Sequence, residues 1–415
     1  MRARMSIASV AVVLVAACGG KADVSVSDTR PAAALDDHVV LAAADVVYRV
    51  PTDGGTPRHW AGAVAAADRS SVVAATWRDD RTAVTALDAS DRVLWSDSIP
   101  GEFGVRIVSS DGRLAALGPG AATGTAYTAT GRTSTDLVVL GAGPRYEVTL
   151  AGNYEPEAFT VDGDAVILIE YTPPSAPTSY SIVRLDIATN ALTPVTDVDG
   201  TARPPMRGTA RTTVANADGT RLYTYYAAPD GALVHGRVHH AFVHVLDLEE
   251  EWAHCIGLDA PFGSFDAAIG LDAAGRTLVV SDVTNGVVAA VDTEALHVEA
   301  SAALPVGVRQ PDIAPSVAVG TDRAYVTVGN TVHALDVSRL TAVAKWSSGP
   351  PVLALRVDGS GTRLYASVPE RIVVLDPNTM RAHEWLEVPG AADVRTADPR
   401  TRPVGGARDE LQCAC

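Results

Sequence analysis

Five of the chain's ten histidines fall between positions 235 and 254: His235, His239, His240, His244 and His254. Imidazole is the commonest protein ligand for zinc and suits copper. His235, His239, His240 and His244 are therefore the candidate metal ligands. In an extended strand His240, Phe242 and His244 share a face, whereas His239 and His240 point to opposite sides. No cysteine or carboxylate stands beside them at a familiar metal spacing, so ordinary hydrogen-bonded histidines are the competing reading. A second candidate lies in Asn153-Tyr154-Glu155-Pro156-Glu157, expected to precede a strand at Ala158–Val161. Glu155 and Glu157 are candidate paired acids. Two carboxylates about 5–9 Å apart suit glycoside hydrolysis. The competing reading is a polar loop at the mouth of a channel. Ser264, in Phe262-Gly263-Ser264-Phe265, lacks the Gly-x-Ser-x-Gly frame of a nucleophile elbow. There is no P-loop and no Gly-x-Gly-x-x-Gly opening a helix. No catalytic set stands out, and no cofactor is expected.

The elements that must position these residues repeat along the chain. Residues 351–387 show the unit most clearly: strand, tight turn, strand, strand, turn, strand. The third strand of each copy ends in an apolar residue, at Val50, Leu87, Leu140, Leu185, Leu246, Val291, Leu335 and Leu375. Most of these anchors lie about 40–45 residues apart, the period of propeller blades. The gaps from Leu87 to Leu140 and from Leu185 to Leu246 are longer and should carry loop insertions. Six anchors are followed by an aspartate: Asp88, Asp186, Asp247, Asp292, Asp336 and Asp376. An aspartate there can accept a backbone N–H two residues on and open the turn to the fourth strand. Six such copies are structural rather than catalytic. Asp-Gly pairs at Asp111-Gly112, Asp162-Gly163 and Asp218-Gly219 supply the positive φ of the turn between first and second strands. The fold expected is all-β, a propeller of four-stranded antiparallel blades. Eight anchors give eight blades. Seven is the alternative, with Val46–Val50 as an irregular lead-in. The first unit starts at its second strand, His38–Ala42. A strand at Ala392–Ala397 is in register to complete it and close the ring by pairing N- and C-terminal strands.

The runs Gly361-Thr362-Arg363-Leu364-Tyr365-Ala366, Gly219-Thr220-Arg221-Leu222-Tyr223-Thr224 and Asp322-Arg323-Ala324-Tyr325-Val326-Thr327 share a basic-apolar-Tyr core. In this the chain resembles bacterial YVTN-type and WD40-like β-propeller repeat proteins over residues 37–400, most strongly from 207 onward. The strand after Gly112 has no tyrosine. The resemblance implies a fold and a secreted location. It carries over no catalytic residue, because propellers host many functions.

Residues 1–17 form an expected leader. Arg2 and Arg4 precede an apolar run, Ile7–Ala17, too short to span a bilayer as a helix. The run ends in Val15-Ala16-Ala17-Cys18, which resembles the bacterial lipobox. That resemblance implies that Cys18 becomes the first mature residue and carries lipid. Gly19, not Asp, then sits second, which would suit an outer membrane where the cell has one. A plain secretory signal is the alternative. Residues 18–36 are an expected tether, 37–400 the propeller and 401–415 a C-terminal tail. An oxidising envelope permits disulfides. Cys255 with Cys413 or Cys415 is the candidate bridge, and a tail whose cysteines take no part in the fold is the competing reading.

The chain has 415 residues, is 47% hydrophobic and carries a formal charge of −16. That is ample for one large core. An acidic surface repels nucleic acid and anionic lipid, so neither is expected as a partner beyond the anchor. The expected function is that of a monomeric, membrane-anchored, extracytoplasmic propeller that binds an envelope protein, peptide or glycan. The alternative is a propeller enzyme or metal-binding protein using one mouth of the central channel.

Overall fold

The computed structural model describes residues 14–16, 38–43, 46–51, 56, 58–66, 71–119, 130–216, 218–304, 315–358 and 361–387. They form eight four-stranded sheets, and within each sheet the strands pair in chain order. The blades run over 14–61, 63–100, 103–151, 153–194, 209–258, 267–303, 317–347 and 354–387, numbered 1 to 8. Each of the eight anchors lies in the third strand of its blade, so the eight-bladed count from sequence stands. At six of the eight blade boundaries the first strands of neighbouring blades adjoin around the axis. Phe103–Val108 lies beside Asn153–Phe159, and Thr209–Ala215 beside Ala267–Leu271.

Among the described residues, all strand pairing within the sheets is antiparallel with one exception. In blade 1 the innermost strand is Leu14–Ala16, which runs parallel to His38–Ala43 with Leu14 opposite Leu41. It also adjoins Ala354–Val357 of blade 8, where the ring closes. Residues 392–397, expected in that place, lie outside the described residues. The expected leader thus contributes a strand: Leu-Val-Ala is apolar and short enough for an inner position.

The turn aspartates do the local work expected of them. Asp88 accepts the N–H of Ser90 and Arg92, Asp247 those of Glu249 and Glu250, and Asp376 those of Asn378 and Thr379. These donors favour the ionised form. The Thr379 and Asn378 amides hold the Asp376 carboxyl below its usual range. Asp186, held by Thr189 and Arg184, is pulled down to about 2. The turns between first and second strands also pack one blade on the next. Gly112 of blade 3 has φ +72°, and a Cβ there would sit 2.8 Å from Ser71 Cβ of blade 2, so glycine is required twice over.

Between blades the core is built from flat layers of Val, Ala, Leu and Tyr. Blades 4 and 5 meet in an aromatic stack: Tyr180 over Tyr226 at 5.3 Å, and Tyr226 over Phe242 at 5.2 Å. Tyr226 and Phe242 are each 1% exposed. Blade 5 also departs from the expected loop insertion. Its second strand, Arg221–Val234, and third strand, Arg237–Asp247, continue into one long hairpin. The extra residues between Leu185 and Leu246 are therefore partly paired strand, with the register shifting between Ala227 and Ala232.

Candidate functional site

The hairpin of blade 5 turns at His235 and Gly236, with φ 45° and 77°. Two positive φ values between the paired residues Val234 and Arg237 match a type I′ turn. One face of the hairpin buries Ala232, Val234 and His239. The other exposes Leu233 and Val238, which are cross-strand partners and are 65% and 68% exposed. The hairpin borders a cleft of about 560 Å³ between blades 5 and 6. The cleft's other walls are the outermost strands of the two blades, Ala253–Leu258 and His297–Ala303. Ile256, Leu258, Phe262, Val287 and Val298 make it apolar, and His235, His239, His254, His297, Arg237 and Asp259 supply its polar groups. A concave apolar surface with a few polar groups is the usual form of a binding site.

The polar groups are held by named partners. His235 donates through Nε2 to the Cys255 carbonyl at 2.9 Å, and its ring stacks on His254 at 4.6 Å. His254 donates through Nδ1 to Asp197 at 2.8 Å. His239 donates through Nδ1 to the Leu258 carbonyl at 3.2 Å. Gly257 makes room for that ring, since a Cβ there would meet His239 Nε2 at 2.5 Å.

The four candidate metal ligands do not converge. His239 is buried and His240 exposed on the opposite face, as alternation requires, and His240 donates to the Pro229 carbonyl. His244 lies deeper, between blades 4 and 5, with its ring edge-on to Tyr226 at 6.3 Å. Among the described residues no group of three or more His, Cys, Asp or Glu could hold a metal ion.

Glu155 and Glu157 are likewise reassigned. They lie inside the first strand of blade 4, Asn153–Phe159, not in a loop ahead of it. The register shifts between Pro156 and Ala158, so Glu157 is the extra residue of a bulge. Its side chain is buried, at 1% exposure, while Glu155 accepts the Tyr171 hydroxyl at 2.8 Å. Nearby, Tyr154 donates to Glu170 at 3.0 Å, and burial and that carboxylate push its hydroxyl up to about 12. Burial lowers the Arg106 pKa, and the Glu155 charge opposes that shift. Ser264 pins a loop: its hydroxyl donates to Asp282 at 2.5 Å, and Asp282 also accepts the Gly263, Ser264 and Asn285 amides.

Cys255 is buried and free. Cys18, Cys413 and Cys415 lie outside the described residues. Burial pushes the Cys255 thiol up to about 11, so it is no nucleophile at neutral pH. Sequence reasoning missed what surrounds it. Arg203 Nη2 donates to Cys255 Sγ at 2.8 Å, and Met206 Sδ lies 3.6 Å from the same sulfur. Arg203 and Met206 come from the segment that follows blade 4, so no local period points to this contact. The pairing of His244 with Cys255 could have been found by extending the third-strand register into the fourth strand.

Burial, then the Arg203 and His254 charges, hold the His244 imidazole well below its ordinary value. Below about pH 6.5 the unfolded chain binds a proton there that the native state excludes. This contribution to stability is therefore present above that pH and is lost as pH falls. Denaturant titrations of wild type and His244→Gln from pH 7.5 to 5 should show a steeper decline for wild type. The difference in slope has a ceiling of about 1.4 kcal/mol per pH unit. Parallel curves would mean that His244 protonates freely in the native state.

No protein-family model matches the sequence, and no curated protein matches it either. Solved structures do match in shape. The structure of dihydro-heme d1 dehydrogenase NirN in complex with DHE aligns with TM-score 0.52 and 14% identity, over 87% of this chain and 75% of that one. Apo AztD from Citrobacter koseri aligns with TM-score 0.50 and 13% identity, over 81% and 88%. At such identities the likeness is one of fold. The chain is an eight-bladed β-propeller, a class whose members act through sites grafted onto the ring.

Proposed function

We propose that this chain is a lipid-anchored, extracytoplasmic propeller that binds an extended segment of an envelope protein at the face shared by blades 5 and 6. The observation that carries the binding site is the exposed Leu233–Val238 pair beside the apolar cleft. Two large apolar side chains on a projecting hairpin cost solubility unless a partner covers them. The neighbouring strand His297–Ala303 is the last of its sheet, and its residues alternate between exposed and half-buried. Such an edge offers backbone groups for strand addition, with side-chain pockets on alternate residues. The leader, the Val15-Ala16-Ala17-Cys18 run and the acidic charge support the location and speak against nucleic acid.

A photo-crosslinking residue placed at Val238, and separately at exposed Leu94 of blade 2, tests the site in intact cells. Val238 should give a discrete protein adduct that Leu233→Asp abolishes, and Leu94 should give none. Equal adducts from both positions, or none from Val238, would overturn the assignment.

A further inference from the structure

We propose that Cys255, Met206 and His244 form a site for a soft monovalent metal ion, Cu(I), buried between blades 4 and 5. The proposal is independent of the docking face above. Thiolate and thioether are the donors that select Cu(I), with imidazole an accepted third. Cys255 Sγ and Met206 Sδ are 3.6 Å apart. With metal–sulfur bonds of about 2.3 Å, one ion can reach both at an S–metal–S angle of about 100°. His244 is the cross-strand partner of Cys255, so its side chain leaves the same face of the sheet. It is 1% exposed, and its Nε2 has no hydrogen-bond partner among the described residues. A buried ring nitrogen without a partner is costly to keep unless something uses it.

The structure already places a cation against both sulfurs. Arg203 Nη2 is 2.8 Å from Cys255 Sγ and 3.6 Å from Met206 Sδ. Its Nη1 is buried without a hydrogen-bond partner, in a long ion pair 3.8 Å from Asp197 Oδ2. An incoming ion displaces the guanidinium, which closes on Asp197 and shortens the 3.8 Å ion pair into a hydrogen-bonded one. The Cys255 thiol gives its proton to water as the copper–sulfur bond forms. Copper enters as Cu(I) and no electron moves. The histidines of the cleft play no part in the site.

The test uses the full chain with Cys18→Ser, Cys413→Ser and Cys415→Ser, which leaves Cys255 as the single thiol. Cu(I) is offered anaerobically as its bicinchoninate complex. One equivalent should leave the chelator, and Ag(I) should protect Cys255 from alkylation. Met206→Leu should weaken binding at least tenfold, His244→Asn should weaken it, and Arg203→Gln should strengthen it. Melting curves of each variant separate loss of binding from loss of fold. Failure to take Cu(I) from the chelator would overturn the proposal. So would equal affinity in a folded Met206→Leu protein, or unchanged uptake after Cys255→Ser.

Discussion

Replacing Tyr226 with alanine should cost about 3–5 kcal/mol of stability, the range for truncating a buried aromatic side chain. Tyr226 is 1% exposed and is the middle ring of three, stacked on Tyr180 of blade 4 and Phe242 of blade 5. Removing it leaves a cavity where two sheets meet, and both neighbouring rings lose a packing surface. Aromatic pairs contribute about 0.5–1.5 kcal/mol beyond the area they bury, and two pairs are lost together. The cavity cannot close easily, because Tyr226 sits in a strand paired on both sides, opposite Phe242 and near Thr212 and Thr213. Tyr226→Phe keeps the ring and should lose less than half as much. Denaturant midpoints of the three proteins decide the matter. A loss of under about 1 kcal/mol for alanine would mean that blades 4 and 5 repack without the stack.

Changing Cys18 to serine should move the protein from the membrane to the aqueous phase. This follows from the proposed anchor. The thiol is the group that would accept lipid, and a serine hydroxyl does not take its place. Acyl chains contribute about 0.8 kcal/mol per buried CH₂, so two or more hold a soluble domain firmly. The acidic surface supplies no compensating attraction. Detergent phase partitioning of wild type and Cys18→Ser, with mass spectrometry of the mature N-terminus, measures the effect directly. A mature chain that does not begin at Cys18, or a Cys18 without lipid, would make the leader an ordinary secretory signal.

The ring was readable in the sequence because its signals are local. An apolar residue followed by an aspartate marks six of the eight turns, and the Asp88, Asp247 and Asp376 carboxylates do accept the amides that such a turn leaves open. Six blades repeat that chemistry, so the two copies without it do not hide the period. What was not readable depends on neighbours distant in sequence. The bulge at Glu157 takes the carboxylate out of the alternation that Glu155 sets, and nothing in Tyr154-Glu155-Pro156-Glu157 marks it except the proline. The blade 5 hairpin was flagged only by the long gap between anchors. Its turn, Val234-His235-Gly236-Arg237, carries a glycine that a closer reading for paired strands would have used. The Cys255 surroundings combine a linker arginine, a linker methionine and two strands of another blade, and only the radial packing of sheets unites them.

The short parallel strand Leu14–Ala16 ties the proposed processing to assembly. Those residues lie in the segment that the proposed processing removes, yet they occupy the innermost place of blade 1 and touch blade 8. On that proposal a precursor and a mature chain would differ at the point where the ring closes. The proposed cut ahead of Cys18 would withdraw Leu14–Ala16 from the seam and bare the inner edge of His38–Ala43. An unpaired edge is the part of a sheet most prone to join a stranger. The leader would thus act as a temporary clasp, holding the seam until export is finished and releasing it on the side of the membrane where the protein works. Precursor and mature protein should differ most in hydrogen exchange along residues 38–43, the blade 1 side of that seam.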